Sequence, residues 1–187
     1  TINVNSGGVF TSGSGLITVN ATGTIFRTGT GVFNITGNLL LNGGKFLTPG
    51  SNFSRGAAQS LTLQNGGLFE ATPQLDGSGS DGPSAGTFSS AGATVITNGT
   101  LRFNGGQGEN GSLFGPSQTG GVGGALQLTG GSLTLSGTAA ATFNGGNGGA
   151  GSGVNGGGGG GGGAGTLSAG ALTLSDSALL ALSGGAG

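Results

Sequence analysis

The sequence predicts an all-β chain, specifically a parallel β-solenoid (β-helix) with glycine-rich insertions, and two observations lead there. Short apolar runs such as "LITV", "NLLLN", "SLTL" and "ATVI" recur between Gly, Asn and Ser, with ten Phe in the chain. They are strand-sized and lean toward β structure. The chain also repeats itself with residue order preserved, which is how stacked modules announce themselves.

The repeat is clearest in "LLLNGGKFLTP" (39–49) and "LTLQNGGLFEATP" (61–73), where Asn42 matches Asn65, Phe46 matches Phe69 and Pro49 matches Pro73. A looser copy, "TVITNGTLRF", runs from Thr94 to Phe103, and "SGGVF", "TGTIF" and "TGVF" repeat the same grammar nearer the start. Alternation puts Leu39, Leu41 and Phe46 on one inward face, and Leu61, Leu63 and Phe69 on the next. Asn-Gly and Gly-Gly accept positive φ and turn the chain between strands. A unit of about 20 to 25 residues cannot bury its own apolar face, so copies must stack. In a solenoid about six to eight coils would stack some 4.8 Å apart, with Asn side chains at repeated turns forming amide ladders. The same Asn-Gly turns also suit an antiparallel β-sandwich or meander; the ordered repeat favours the solenoid.

The second half carries a longer copy. "FNGGQG" begins at Phe103 and "FNGGNG" at Phe143, 40 residues on, while "SLTLS" at Ser132 recurs as "ALTLS" at Ala171, 39 residues on. These matches add Phe103, Leu133, Leu135, Phe143, Leu172 and Leu174 to the expected repeat core. One repetitive domain then spans 1–187. Repeats of about 23 residues fill 1–103, and repeats of about 40 fill 103–187, with their surplus in glycine-rich insertions at 104–124 and 144–165. The second insertion holds an unbroken run of Gly156, Gly157, Gly158, Gly159, Gly160, Gly161, Gly162 and Gly163. Stacking brings the two insertions side by side. The run is expected to pack laterally in a polyproline-II-like or β-like layer, bonding backbone to backbone, because a hydrogen-sized side chain permits that approach. These eight glycines are the candidate self-association surface.

"GGALQLTGGSLTLSGTAAATFNGG" resembles the passenger repeats of bacterial autotransporter-type proteins and the polymorphic outer-membrane-protein repeats. Gly123-Gly124-Ala125-Leu126 is close to the Gly-Gly-Ala-Ile signature of the latter, whereas Phe143-Asn144 departs from its Phe-x-x-Asn spacing. The resemblance implies an exported β-solenoid of a bacterial surface, hence an extracellular or cell-surface location.

Composition narrows the function further. Charged residues make up 5% of the chain, against about 25% in ordinary domains. Arg27, Lys45, Arg55 and Arg102 face Glu70, Asp76, Asp81, Glu109 and Asp176, which leaves no basic footprint for nucleic acid. No apolar run reaches the ~18 residues of a membrane helix. With no Trp or Tyr, a membrane barrel would lack its aromatic girdles. Without His, Cys or Tyr, the common nucleophile and general-base pairings are missing, and no enzyme activity or cofactor is expected. Asp76 and Asp81 are candidate calcium ligands through carboxylate and carbonyl oxygens, although Asp among Ser, Gly and Pro commonly forms turns. "GGQGENGSL" only partly matches the glycine-rich calcium nonapeptide. Thr22, Thr24, Thr28 and Thr30 are paired in the manner of an ice-binding array, but later modules do not repeat them in register.

A structural role is therefore expected: a β-solenoid subunit or segment of an extracellular fibre, sheath or surface stalk, partnered with itself through strand edges and glycine tracts. "TINV" and "SGGAG" at its ends read as a segment that continues. The alternatives are an adhesin module binding surface glycans and, further off, a carbohydrate-active enzyme or an ice-binding protein.

Overall fold

A computed structural model of the chain describes residues 1–29, 31–73, 82–108, 119–149, 160–168 and 170–186. The first coil comprises β1 (Ile2–Val4), β2 (Val9–Ser12) and β3 (Ile17–Asn20), and the second β4 (Thr24–Arg27), β5 (Val32–Ile35) and β6 (Leu39–Asn42). The third comprises β7 (Lys45–Leu47), β8 (Phe53–Arg55) and β9 (Leu61–Gln64), and the fourth β10 (Leu68–Glu70), β11 (Thr87–Ser90) and β12 (Ala93–Thr97). β13 (Thr100–Arg102), β14 (Ala125–Thr129) and β15 (Ser132–Ser136) make the fifth. β16 (Ala140–Thr142), β17 (Gly165–Ser168) and β18 (Ala171–Leu174) make the sixth, and β19 (Leu179–Ala181) opens a seventh.

Every third strand stacks on the same face. The first strands form one seven-stranded sheet from β1 to β19, and the third strands a six-stranded sheet from β3 to β18. The second strands form a β2–β5 pair and a separate β8–β11–β14–β17 sheet. All strand pairings within these sheets are parallel. The chain is thus a parallel β-solenoid, and the antiparallel sandwich or meander is excluded.

The core is a set of side-chain ladders. Leu39, Leu61, Thr94 and Leu133 stand in one register column, and Leu41, Leu63, Ile96 and Leu135 in another; all eight are buried. A third ladder is aromatic. Phe46 stacks on Phe69 at 4.9 Å between ring centroids, Phe69 on Phe103 at 5.6 Å, and Phe103 on Phe143 at 5.7 Å. This ladder changes register as it climbs. Phe69 lies opposite Leu101 in the strand pairing, not Phe103, and Leu101 lies opposite Ala141. The short coils read Phe46-x-Thr48 and Phe69-x-Ala71, and the long coils Leu101-x-Phe103 and Ala141-x-Phe143. The large ring moves two positions along the strand and a smaller inward residue takes its former place, which keeps the core volume filled.

The turns show why the repeat slips by one residue. Leu41 pairs with Leu63 and Asn42 with Gln64, so Asn42 does not face Asn65 as its sequence match implied. Asn65 is an extra corner residue held at φ 53°, and Asn98 (φ 53°) and Asp176 (φ 58°) turn later coils the same way. Asn42 still joins the levels. Its Nδ2 donates to Asn20 Oδ1 at 3.2 Å, and its Oδ1 accepts from Gln64 Nε2 at 3.3 Å and Asn65 Nδ2 at 2.7 Å. This is the amide ladder expected at the turns.

Of the expected core residues, Leu39, Leu41, Phe46, Leu61, Leu63, Phe69, Phe103, Leu133, Leu135 and Phe143 are buried. Leu172 and Leu174 are the correction. They continue the Leu133 and Leu135 columns yet stand 40% and 44% exposed, because no further coil covers them among the described residues. Truncating the centre of the aromatic ladder, Phe69→Ala, should cost about 3–5 kcal/mol of stability, read as a lowered midpoint in chemical denaturation.

Candidate functional site

Three excursions leave the solenoid between the first and second strands of successive coils, and their described parts lie against one another. Outgoing segments 104–108 and 144–149, joined by 182–186 after β19, form one layer, and returning segments 82–86, 119–124 and 160–164 form another. Within the outgoing layer, Gly105 and Gly108 N–H donate to Asn144 and Asn147 carbonyls, and Gly145 and Gly148 to those of Ser183 and Ala186. Within the returning layer, Gly82 and Ala85 donate to Thr119 and Val122, and Gly123 and Leu126 to Gly161 and Ala164. Each pair of donors is three residues apart, which matches the three-residue turn of a polyproline-II helix and not the two-residue period of a strand.

A second set of bonds crosses between the layers. Gly106 donates to the Pro83 carbonyl, Gly121 to Gly106, Gly146 to Gly121, Gly160 to Gly146 and Gly185 to Gly160, at 2.8–2.9 Å. These bonds form one relay through every level of the flange. None of the glycines in it has positive φ, so the conformational freedom of glycine is not what the site uses. Room is. A Cβ on Gly121 would press into the Pro83 carbonyl oxygen, and one on Gly146 into the Gly106 carbonyl oxygen, both well inside contact distance. A Cβ on Gly106 would meet Pro83 Cδ at 2.8 Å, whereas one on Gly161 would meet only Val122 methyls at 3.8 Å.

Side chains finish the outer rows. Asn104 Oδ1 accepts from Asn144 N–H at 2.9 Å, Asn144 Oδ1 from Ser183 N–H at 3.1 Å, and Asn147 Oδ1 from Ala186 N–H at 3.0 Å.

Of the eight-glycine run, Gly160 is buried and Gly161, Gly162 and Gly163 lie at the open end of the returning layer. Gly156, Gly157, Gly158 and Gly159 fall outside the described residues, as do the calcium candidates Asp76 and Asp81. The sequence reading missed the return segment 82–86. The turn expectation concerns Asp76 and Asp81 and says nothing of 82–86, where Gly82, Pro83 and Ala85 supply the first level of the flange. The signal available was the shortfall between the 23-residue and 40-residue repeats, since Phe69 and Leu101 pair 32 positions apart.

Among the described residues no three His, Cys, Asp or Glu gather as a metal site. Glu70 accepts from Arg102 Nη1 at 3.1 Å across adjacent coils, on a half-exposed face. Among the described residues no helix is long and apolar enough to cross a membrane. Comparison with known proteins finds no matching family model, no matching curated protein and no matching solved structure.

The flange geometry predicts a sharp contrast between neighbouring glycines. Gly146→Ala should lower the melting temperature by several degrees, as a ~1–3 kcal/mol overpacking penalty does, whereas Gly161→Ala should leave it within about a degree. Parallel thermal melts of the two variants check this.

Proposed function

We propose that this chain is a structural segment of an extracellular or cell-surface rod, and that it associates end to end with copies of itself. One observation carries the reading: the coil of β16, β17 and β18 presents core columns that no other described coil covers. Leu167, Leu172 and Leu174 continue columns whose preceding members Leu128, Leu133 and Leu135 are buried, yet they stand 40–53% exposed. The outer edges of β17, β18 and β19 have no strand partner among the described residues. Unpaired edges of this kind template further pairing.

A second copy suits this end better than an unrelated partner does. The opposite end offers β1, β2 and β3 with the same strand direction and outer edges unpaired among the described residues, and Ile2, Val9 and Leu16 there are 40–63% exposed. A head-to-tail contact extends the parallel sheets in their existing direction. Such a contact is heterologous and does not close, so it grows a filament. The net charge of −1 offers little electrostatic opposition to self-contact. The glycine flange supports the same role, since it braces one side of the rod with backbone bonds.

Electron microscopy and sedimentation at rising concentration test this. The native chain should give particles that lengthen with concentration, and Leu172→Glu combined with Leu174→Glu should abolish lengthening with an unchanged circular dichroism spectrum. A native chain that stays monomeric at high concentration contradicts the proposal.

A further inference from the structure

The solenoid has one broken face, and the break is chemically unusual. β5 and β8 occupy equivalent places on successive coils but do not pair. Between them lies a cleft of about 270 Å³, walled by Phe33 and Phe53 and lined by Arg27, Thr48, Ser51 and Asn52. Around the break, two arginines donate to backbone carbonyls. Arg27 donates to the Gly31 and Pro49 carbonyls. Arg55, 1% exposed, donates to Ile35 at 3.2 Å, Ser60 at 3.0 Å, and Gly37, with its guanidinium 5.6 Å from the Phe53 ring centroid.

Neither arginine meets a carboxylate among the described residues. The ion pair found among the described residues joins Arg102 and Glu70, and burial lowers the pKa of both Arg27 and Arg55 from the ordinary guanidinium value. Withdrawing a charge from water without a partner of opposite sign is costly. The polar side chains at the cleft are also incompletely used. Arg27 Nε, Thr48 Oγ1 and Ser51 Oγ are buried with no hydrogen-bond partner, and Thr48 is only 3% exposed. Buried donors of this sort nearly always have partners in folded proteins.

We propose that the cleft between β5 and β8 is a binding site for a small carboxylate, held by Arg27 with Thr48 and Ser51 and flanked by the Phe33 and Phe53 rings. A carboxylate is acceptor-only and planar, which suits a guanidinium with a free Nε–H edge and two adjacent hydroxyl donors. It also brings a negative charge to the Arg27 guanidinium, which lines the cleft. The phenyl walls favour an acid with an apolar or C–H-rich face, and an acidic sugar is one such acid.

Glucuronate, acetate and glucose are the probes, and the three arginine Nε–H resonances of isotopically labelled protein are the readout. Glucuronate should shift the Arg27 Nε–H saturably in the millimolar range and leave Arg102 unmoved. Acetate should do so more weakly, and glucose not at all. Arg27→Gln should abolish binding. Thr48→Val removes an unpartnered hydroxyl, so it should fold with an unchanged or higher melting temperature and bind glucuronate about tenfold more weakly, the size of one hydrogen bond to a charged group. A shift equal for glucose and glucuronate, an Arg27 signal that does not respond, or undiminished binding by Thr48→Val overturns the assignment.

Discussion

Every feature of this molecule depends on parallel coils lying one strand spacing apart, about 4.8 Å, with each backbone bonding to the next. The spacing is satisfied along the sheets by strand ladders and along the flange by glycine-to-glycine bonds. It also dictates where side chains can exist. On the faces, inward residues fill the interior in columns and outward residues meet solvent. At the flange two layers approach from the side as well as along the axis, and a Cβ on Gly121 or Gly146 would land on a neighbouring carbonyl. Glycine is demanded there by neighbours, not by φ.

The same constraint accounts for the ladders. A side chain in a solenoid meets its counterpart above and below, so the chain profits from repeating a residue type at each position. Leu, Phe and Asn do this here. Where the repeat changes length, the packing adjusts without breaking. The Phe column shifts two positions at Leu101-x-Phe103, and the rings still stack within 8° of parallel against Phe69. Where pairing does fail, between β5 and β8, the buried Arg55 guanidinium bonds the carbonyl of Ile35 at the end of β5.

Much of this was legible in the residues. The alternation of Leu61 and Leu63 and the spacing of Phe46 and Phe69 reported strands and stacking directly, because a parallel in-register fold copies its contacts into sequence. The expectation that glycine tracts bond side by side followed from their place in the repeat. Other features left less trace. Asn65 shifted the corner by one residue, which a match of letters could not separate from true register. The move from Phe69 to Phe103 was hidden because the rings align in space while the strands pair two residues out of step. Arg55 sits at an inward position by strict alternation with Phe53, but charge normally marks an outward one. Leu172 and Leu174 carry the core pattern faithfully, and the pattern within a coil does not say whether another coil lies above it.

The central claim is that the glycine-rich segments are a hydrogen-bonded wall continuous with the solenoid. Amide hydrogen exchange measures this residue by residue. The Gly106, Gly121, Gly146 and Gly160 amides should be protected to the level of Phe46 and Phe69 in the sheet. Exchange of these four at the rate of an unstructured glycine linker would contradict the account.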